Sequence, residues 1–122
     1  MKNRIQVLSM IALVSLTSIV YAGNPDEGKS KIAVCVACHG EYGNSMVGSF
    51  PNLGGQGKAY LLKQLKDIQG GAREIPTMLG LLDGMSEDDL AHIAAFYSTQ
   101  SRAMGATDPE LVELGESIYR FG

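Results

Sequence analysis

The chain has 122 residues, 45% of them hydrophobic, and a formal net charge of −3 at pH 7. That length holds one small domain and little more, and so short a chain has limited capacity to bury apolar surface by itself. With 10 basic against 13 acidic side chains it lacks the basic stripe that a nucleic-acid-binding protein needs.

Residues 1–22 read as an export signal. Lys2 and Arg4 form a positive start, Val7 to Val20 is largely apolar, and Val20-Tyr21-Ala22 puts small residues where a signal peptidase cleaves. The apolar run is short of the ~20 residues a spanning helix needs. Cleavage after Ala22 and a periplasmic location are expected, whereas an uncleaved leader would hold the protein at the inner membrane. Loss of Lys2 and Arg4 with the leader takes the formal charge from −3 to −5.

Asn24-Pro25-Asp26-Glu27 is a helix start, with Asn24 as N-cap, Pro25 in the first turn and two acids near the positive end of the dipole. The helix is expected to run into Cys35, with Gly28, Ile32 and Val36 on one face. Gly28 is either the point where another helix crosses closely or a weak spot near the helix start.

Cys35-Val36-Ala37-Cys38-His39 supplies everything needed to attach one c-type haem. Two thiols three positions apart can each add to a haem vinyl group, and the adjacent His39 can give its imidazole to the iron. A thioredoxin-like dithiol expects a βαβ context, and the chain shows little strand-like alternation. A structural zinc site needs about four Cys and His ligands; the chain has two of each, and His92 lies far downstream. A plain disulfide is the remaining rival. The motif points to one covalent haem c, held through Cys35 and Cys38. Attachment of such haem outside the bacterial inner membrane agrees with the export signal.

Gly40 to Gly57 is glycine-rich and reads as a loop able to wrap one edge of the haem. Within it, the Pro51 carbonyl either accepts a hydrogen bond from His39 and orients the imidazole, or Pro51 is a turn proline between core residues. Lys58 to Gln69 has Leu61, Leu62, Leu65 and Ile68 at helical spacing, and Gly70-Gly71 ends it. Ala72 to Met85 is a connector. Ser86-Glu87-Asp88-Asp89 is a capping-box start to a helix ending near Gln100, with Leu90, Ile93, Ala94 and Tyr97 on one stripe. His92 falls off that stripe and is read as a solvated histidine.

The sixth iron position calls for a second strong ligand, and a methionine thioether there raises the potential. Met46 lies in the loop close behind the attachment site, and Met104 lies beyond the last core helix. Met85 precedes the Ser86 cap, where an apolar residue often packs as a staple. Met78, just after Pro76-Thr77 in the connector, can swing to the distal face. Met78 is the first choice and Met85 the second.

The chain resembles a class I c-type cytochrome, and more narrowly one half of the di-haem cytochromes c4. The residues that carry the resemblance are Cys35-Val36-Ala37-Cys38-His39-Gly40, Phe50-Pro51-Asn52-Leu53-Gly54-Gly55-Gln56, Tyr60-Leu61-Leu62-Lys63-Gln64-Leu65, Met78, and Ser86-Glu87-Asp88-Asp89-Leu90 leading to Ala94-Ala95-Phe96-Tyr97. They cover about Asp26 to Gln100. The resemblance implies a small all-α fold whose first and last helices cross beside the haem, Met78 as distal ligand, and Pro51 supporting His39. It also implies an electron carrier rather than an enzyme. Its partners would be periplasmic or membrane redox proteins of the respiratory chain, such as a quinol-oxidising complex and a terminal oxidase. Two other roles are weighed against this: a haem subunit of a larger dehydrogenase, or an open-site haem enzyme or sensor. Arg73 is the distal-side candidate for the last, and reads better as a surface or propionate contact.

Residues 23–102 are expected to form the haem domain. Residues 103–122 resemble the linker and opening helix of the family's second haem domain, and Gly115-Glu116-Ser117-Ile118 echoes Gly28-Lys29-Ser30-Lys31. No second Cys-x-x-Cys-His follows, so the expectation is either a truncated di-haem protein or a mono-haem protein with a vestigial tail. Leu111, Leu114 and Ile118 form an apolar stripe on that helix.

Overall fold

The computed structural model describes residues 22–106 and 108–122, so the leader expected over residues 1–22 lies, apart from Ala22, outside the described residues. Among the described residues all regular structure is helical. The order is α1 (Pro25–Lys31), α2 (Ala33–His39), α3 (Lys58–Gln69), a 3-10 turn (Pro76–Met78), α4 (Glu87–Ser98) and α5 (Pro109–Phe121). No helix among the described residues is long and apolar enough to cross a membrane.

The single helix expected from Asn24 to Cys35 is two helices. Asn24 caps the first as expected, its side chain accepting from the Asp26 N–H at 2.9 Å. The ladder then breaks at Ile32, whose ψ of 2° is outside the α range and which closes α1 and opens α2. Ile32 is 4% exposed. The break lets it bury while α2 takes its own direction and brings Cys35 and His39 into the interior.

α1 crosses α4 at Gly28. A Cβ there would lie 2.1 Å from the His92 carbonyl oxygen and 2.7 Å from the Phe96 Cβ, so only hydrogen fits. Polar contacts flank the crossing. The Lys31 ammonium is 2.6 Å from an Asp89 carboxylate oxygen, and the Asn24 N–H donates to His92 Nδ1 at 2.7 Å. His92 is therefore a half-buried acceptor that ties α1 to α4, not the solvated side chain expected.

The capping box of α4 forms as read: the Ser86 hydroxyl accepts from the Asp89 N–H, and the Asp89 carboxylate accepts from the Ser86 N–H. Burial on α4 is wider than one stripe, because Ala91, Ala95 and Phe96 are buried together with Leu90, Ile93, Ala94 and Tyr97. α4 is sandwiched: α1 packs on it, α3 packs on it through Leu61 with Leu62 and Leu65, and its remaining side faces the cavity described below. On α5, by contrast, every residue is exposed, including Leu111, Leu114 and Ile118.

Gly28→Ala should destabilise the protein by about 2 kcal/mol or more in denaturant unfolding, since a backbone carbonyl stands in the new methyl's place. Gly115→Ala, in the echoing position on α5 with nothing within 4 Å, should leave the midpoint unchanged or raised. Equal losses at both sites would contradict the crossing.

Lys31, and then Ser86, hold the Asp89 carboxyl well below the usual carboxylate range. A carboxylate depressed by folding stabilises above its unfolded value, about 3.9, and that stabilisation is lost as the pH falls below it. Asp89→Asn should lower stability at neutral pH and flatten its decline below about pH 4; an unchanged acid slope would sink the assignment.

Candidate haem site

α2 places Cys35 and Cys38 one turn apart with His39 next to them. Cys35 is 9% exposed, Cys38 is half-buried, and His39 is 7% exposed. Burial pushes the Cys35 thiol up from its ordinary value, with Tyr97 acting the other way. The thiol form is thereby favoured over the thiolate.

The glycine-rich loop fixes the imidazole. His39 Nδ1 lies 2.9 Å from the Pro51 carbonyl oxygen. A carbonyl can only accept, so Nδ1 carries the proton and Nε2 of the neutral ring keeps its lone pair. Phe50 stands edge-on to the same ring, with centroids 6.3 Å apart and planes at 67°. The loop is itself pinned. The Ser45 hydroxyl donates to the Cys38 carbonyl at 2.8 Å, and the Leu53 and Gly54 N–H groups donate to the Gly43 carbonyl at 2.7 and 2.9 Å. Asn44 donates to the Ser101 carbonyl at 2.9 Å and accepts from the Ala103 N–H at 2.8 Å, which ties the loop to the segment after α4.

A cavity of about 430 Å³ is lined by Cys35, Cys38, His39, Pro51, Met78 and Tyr97, with mostly apolar side chains between them. All five residues singled out from the sequence thus open on one space. Among the described residues the other methionines do not. Met46 is 97% exposed, Met104 is 90% exposed, and Met85 packs against the core cluster, as a staple would. Arg73 also lines the cavity and donates to the Gln64 side chain.

The connector that carries Met78 is held by a residue the sequence did not single out. Gln69 Nε2 donates to the Leu82 and Met85 carbonyls, both at 2.8 Å, and Leu82 is 2% exposed. Tyr97 is the other omission: its hydroxyl is buried with no hydrogen-bond partner, alone in this among the side chains of the described residues. An apolar space, two thiols one turn apart, an oriented imidazole and one thioether fit a covalently held haem. Gln69→Ala should speed amide exchange across residues 79–85 and cost about 1 kcal/mol in unfolding; unchanged exchange there would show that the connector is held by other means.

No family model matches the chain. It is 45% identical over 117 residues to cytochrome c4 of Pseudomonas aeruginosa, covering 95% of this chain but 58% of that protein. Cytochrome c-554(548) of Halomonas halodenitrificans is 40% identical over 82 residues, which are 65% of this chain and 99% of that protein. The crystal structure of reduced recombinant cytochrome c4 from Pseudomonas stutzeri superposes with a TM-score of 0.78 at 45% identity, covering 81% of this chain and 57% of that one. The chain therefore spans a little over half the length of the cytochromes c4 that it matches, and nearly all of the shorter relative. With its all-helical fold and its Cys-x-x-Cys-His site, the chain belongs to the class I c-type cytochromes, in the family of cytochrome c4 and cytochrome c-554(548), whose cofactor is covalent haem c.

Proposed function

We propose that this chain carries single electrons in the periplasm on one haem c that Cys35 and Cys38 would attach and whose iron His39 and Met78 would hold. The observation that carries this reading is the convergence of both thiols, the oriented His39 imidazole and Met78 on one apolar cavity. Bound there, the haem iron supplies a one-electron Fe(III)/Fe(II) couple.

The chain's own residues supply the rest. Cys35 and Cys38 would hold the haem through thioether bonds to its two vinyl groups. The Pro51 carbonyl holds the Nδ1 proton of His39, which keeps Nε2 available and makes it more basic. Met78 offers a soft thioether that favours the reduced state and raises the potential. Ile93, Ala94, Leu61 and Leu65 line the space and exclude water. Arg73 gives the cavity a cation suited to a propionate. With His39 and Met78 both holding the iron, the arrangement would suit electron transfer rather than catalysis on the iron.

The leader over residues 1–22 supports the periplasmic location, and residues 23–102 are taken as the haem domain with 103–122 as linker and helix. Donor and acceptor would be other redox proteins, in the respiratory chain a quinol-oxidising complex and a terminal oxidase. An acidic surface favours a basic docking patch. A second reading, a haem subunit of a larger dehydrogenase, is favoured by one feature, the exposed Leu111, Leu114 and Ile118 of α5; co-purification with a catalytic subunit would support it.

The test is periplasmic expression with haem-attachment machinery. The expected product starts at Gly23, carries one haem by intact mass, and shows a low-spin, sulfur-ligated spectrum that Met78→Ala abolishes and Met85→Ala leaves intact. A high-spin or carbon monoxide-reactive iron in the unmutated protein would overturn Met78 as ligand and the carrier function with it.

A further inference from the structure

One buried, unpartnered polar atom belongs to a residue of the cavity wall and has no part in the electron-carrier reading. Tyr97 is 1% exposed, it lines the cavity, and its hydroxyl has no hydrogen-bond partner. A buried hydroxyl left unpaired costs free energy, so such a group calls for an explanation.

The ring is not free to swing away. Phe96 stands edge-on to it, with centroids 5.2 Å apart at 65°. On another side lies the backbone of Gly43, which has a φ of +74° and where an added Cβ would come within 2.7 Å of the Tyr97 Cδ1. The Tyr97 carbonyl in turn accepts from the Gly55 N–H at 3.0 Å. The loop that orients His39 therefore also clamps Tyr97.

Cys35 shares both the buried cluster and the cavity wall with Tyr97. Burial pushes the Tyr97 phenol up from its ordinary value and Cys35 pushes it further, while Tyr97 opposes the effect of burial on the Cys35 thiol. Between a free thiol and a phenol the polarity of such a contact is open, because each group can donate and accept. Haem attachment removes the choice: a thioether sulfur has lone pairs and no hydrogen, so it can only accept.

Resting on the haem reading above, we propose that the Tyr97 hydroxyl, buried in one cluster with Cys35 and unpartnered, is the hydrogen-bond donor to the Cys35 thioether sulfur. A carboxylate is the wrong partner at this place, because the porphyrin edge at Cys35 bears the vinyl-derived group and the cation suited to a propionate is Arg73. Tyr97 is then a positioning and tuning residue. Its O–H dipole turns its positive end toward the porphyrin edge and favours the electron-richer state, so it raises the reduction potential.

The test compares the haem-loaded protein with its Tyr97→Phe variant, which loses the hydroxyl and keeps the ring. At a fixed redox poise the variant should show a reduced-to-oxidised ratio about threefold lower, as loss of one weak hydrogen bond implies. In resonance Raman spectra the C–S stretch of the parent should shift on transfer to D2O, and that of the variant should not. A variant that keeps its haem at the parent's potential, or a parent C–S stretch indifferent to D2O, overturns the proposal and leaves the carrier reading intact. The D2O comparison on the parent decides by itself if the variant does not accumulate. A parent whose intact mass shows no attached haem overturns both readings.

Discussion

The approach of α1 to α4 at Gly28 is the constraint on which the rest of the molecule depends. Removing one side chain lets α1 lie against the α4 backbone at His92, and the Asn24–His92 and Lys31–Asp89 contacts hold it there. α2 follows directly from α1 through the break at Ile32. The position of Cys35, Cys38 and His39 relative to Ile93, Ala94 and Tyr97 on α4 is thereby set by the crossing. The cavity is the space the crossing leaves on the other side of α4, and α3 covers part of it.

Two irregular segments complete that space, and each is tied down by side-chain amides rather than by secondary structure. Asn44 fastens the glycine-rich loop to the chain beyond α4, and Gln69 fastens the connector to the end of α3. The two candidate iron ligands thus come from opposite kinds of support. His39 is the last residue of a helix and has its proton fixed by Pro51; Met78 ends a short 3-10 turn in an anchored loop. A small domain without such anchors would leave a large apolar space between mobile loops, with little core to oppose it. A bound macrocycle filling it would contribute buried apolar surface that the chain cannot supply alone.

Much of this was legible from residue order. Cys35-Val36-Ala37-Cys38-His39 is a local motif, and the bounds of α3 and the start of α4 follow from periodicity and capping chemistry that act within one or two turns. What the sequence could not show was set at long range. Ile32 breaks the first helix because it buries against elements far along the chain. His92 looked solvated because its partner, the Asn24 N–H, belongs to the other end of the domain. Gln69 and Tyr97 carry no local mark of their roles; a glutamine at a helix end and an aromatic on an apolar stripe are ordinary on both counts. For Met78 the pattern supplied a ranking over Met85; in the fold Met78 lines the cavity and Met85 packs against the core cluster.

The central claim is that this cavity holds one haem between His39 and Met78. Proton NMR of the fully reduced protein, with carbon-13 in the methionine methyl groups, tests it most directly. A methyl bound above the iron lies in the shielding cone of the porphyrin, so one methionine resonance should stand far upfield of the others and vanish in Met78→Leu. All methionine methyls at ordinary positions, or an upfield methyl that survives that substitution, would contradict the account.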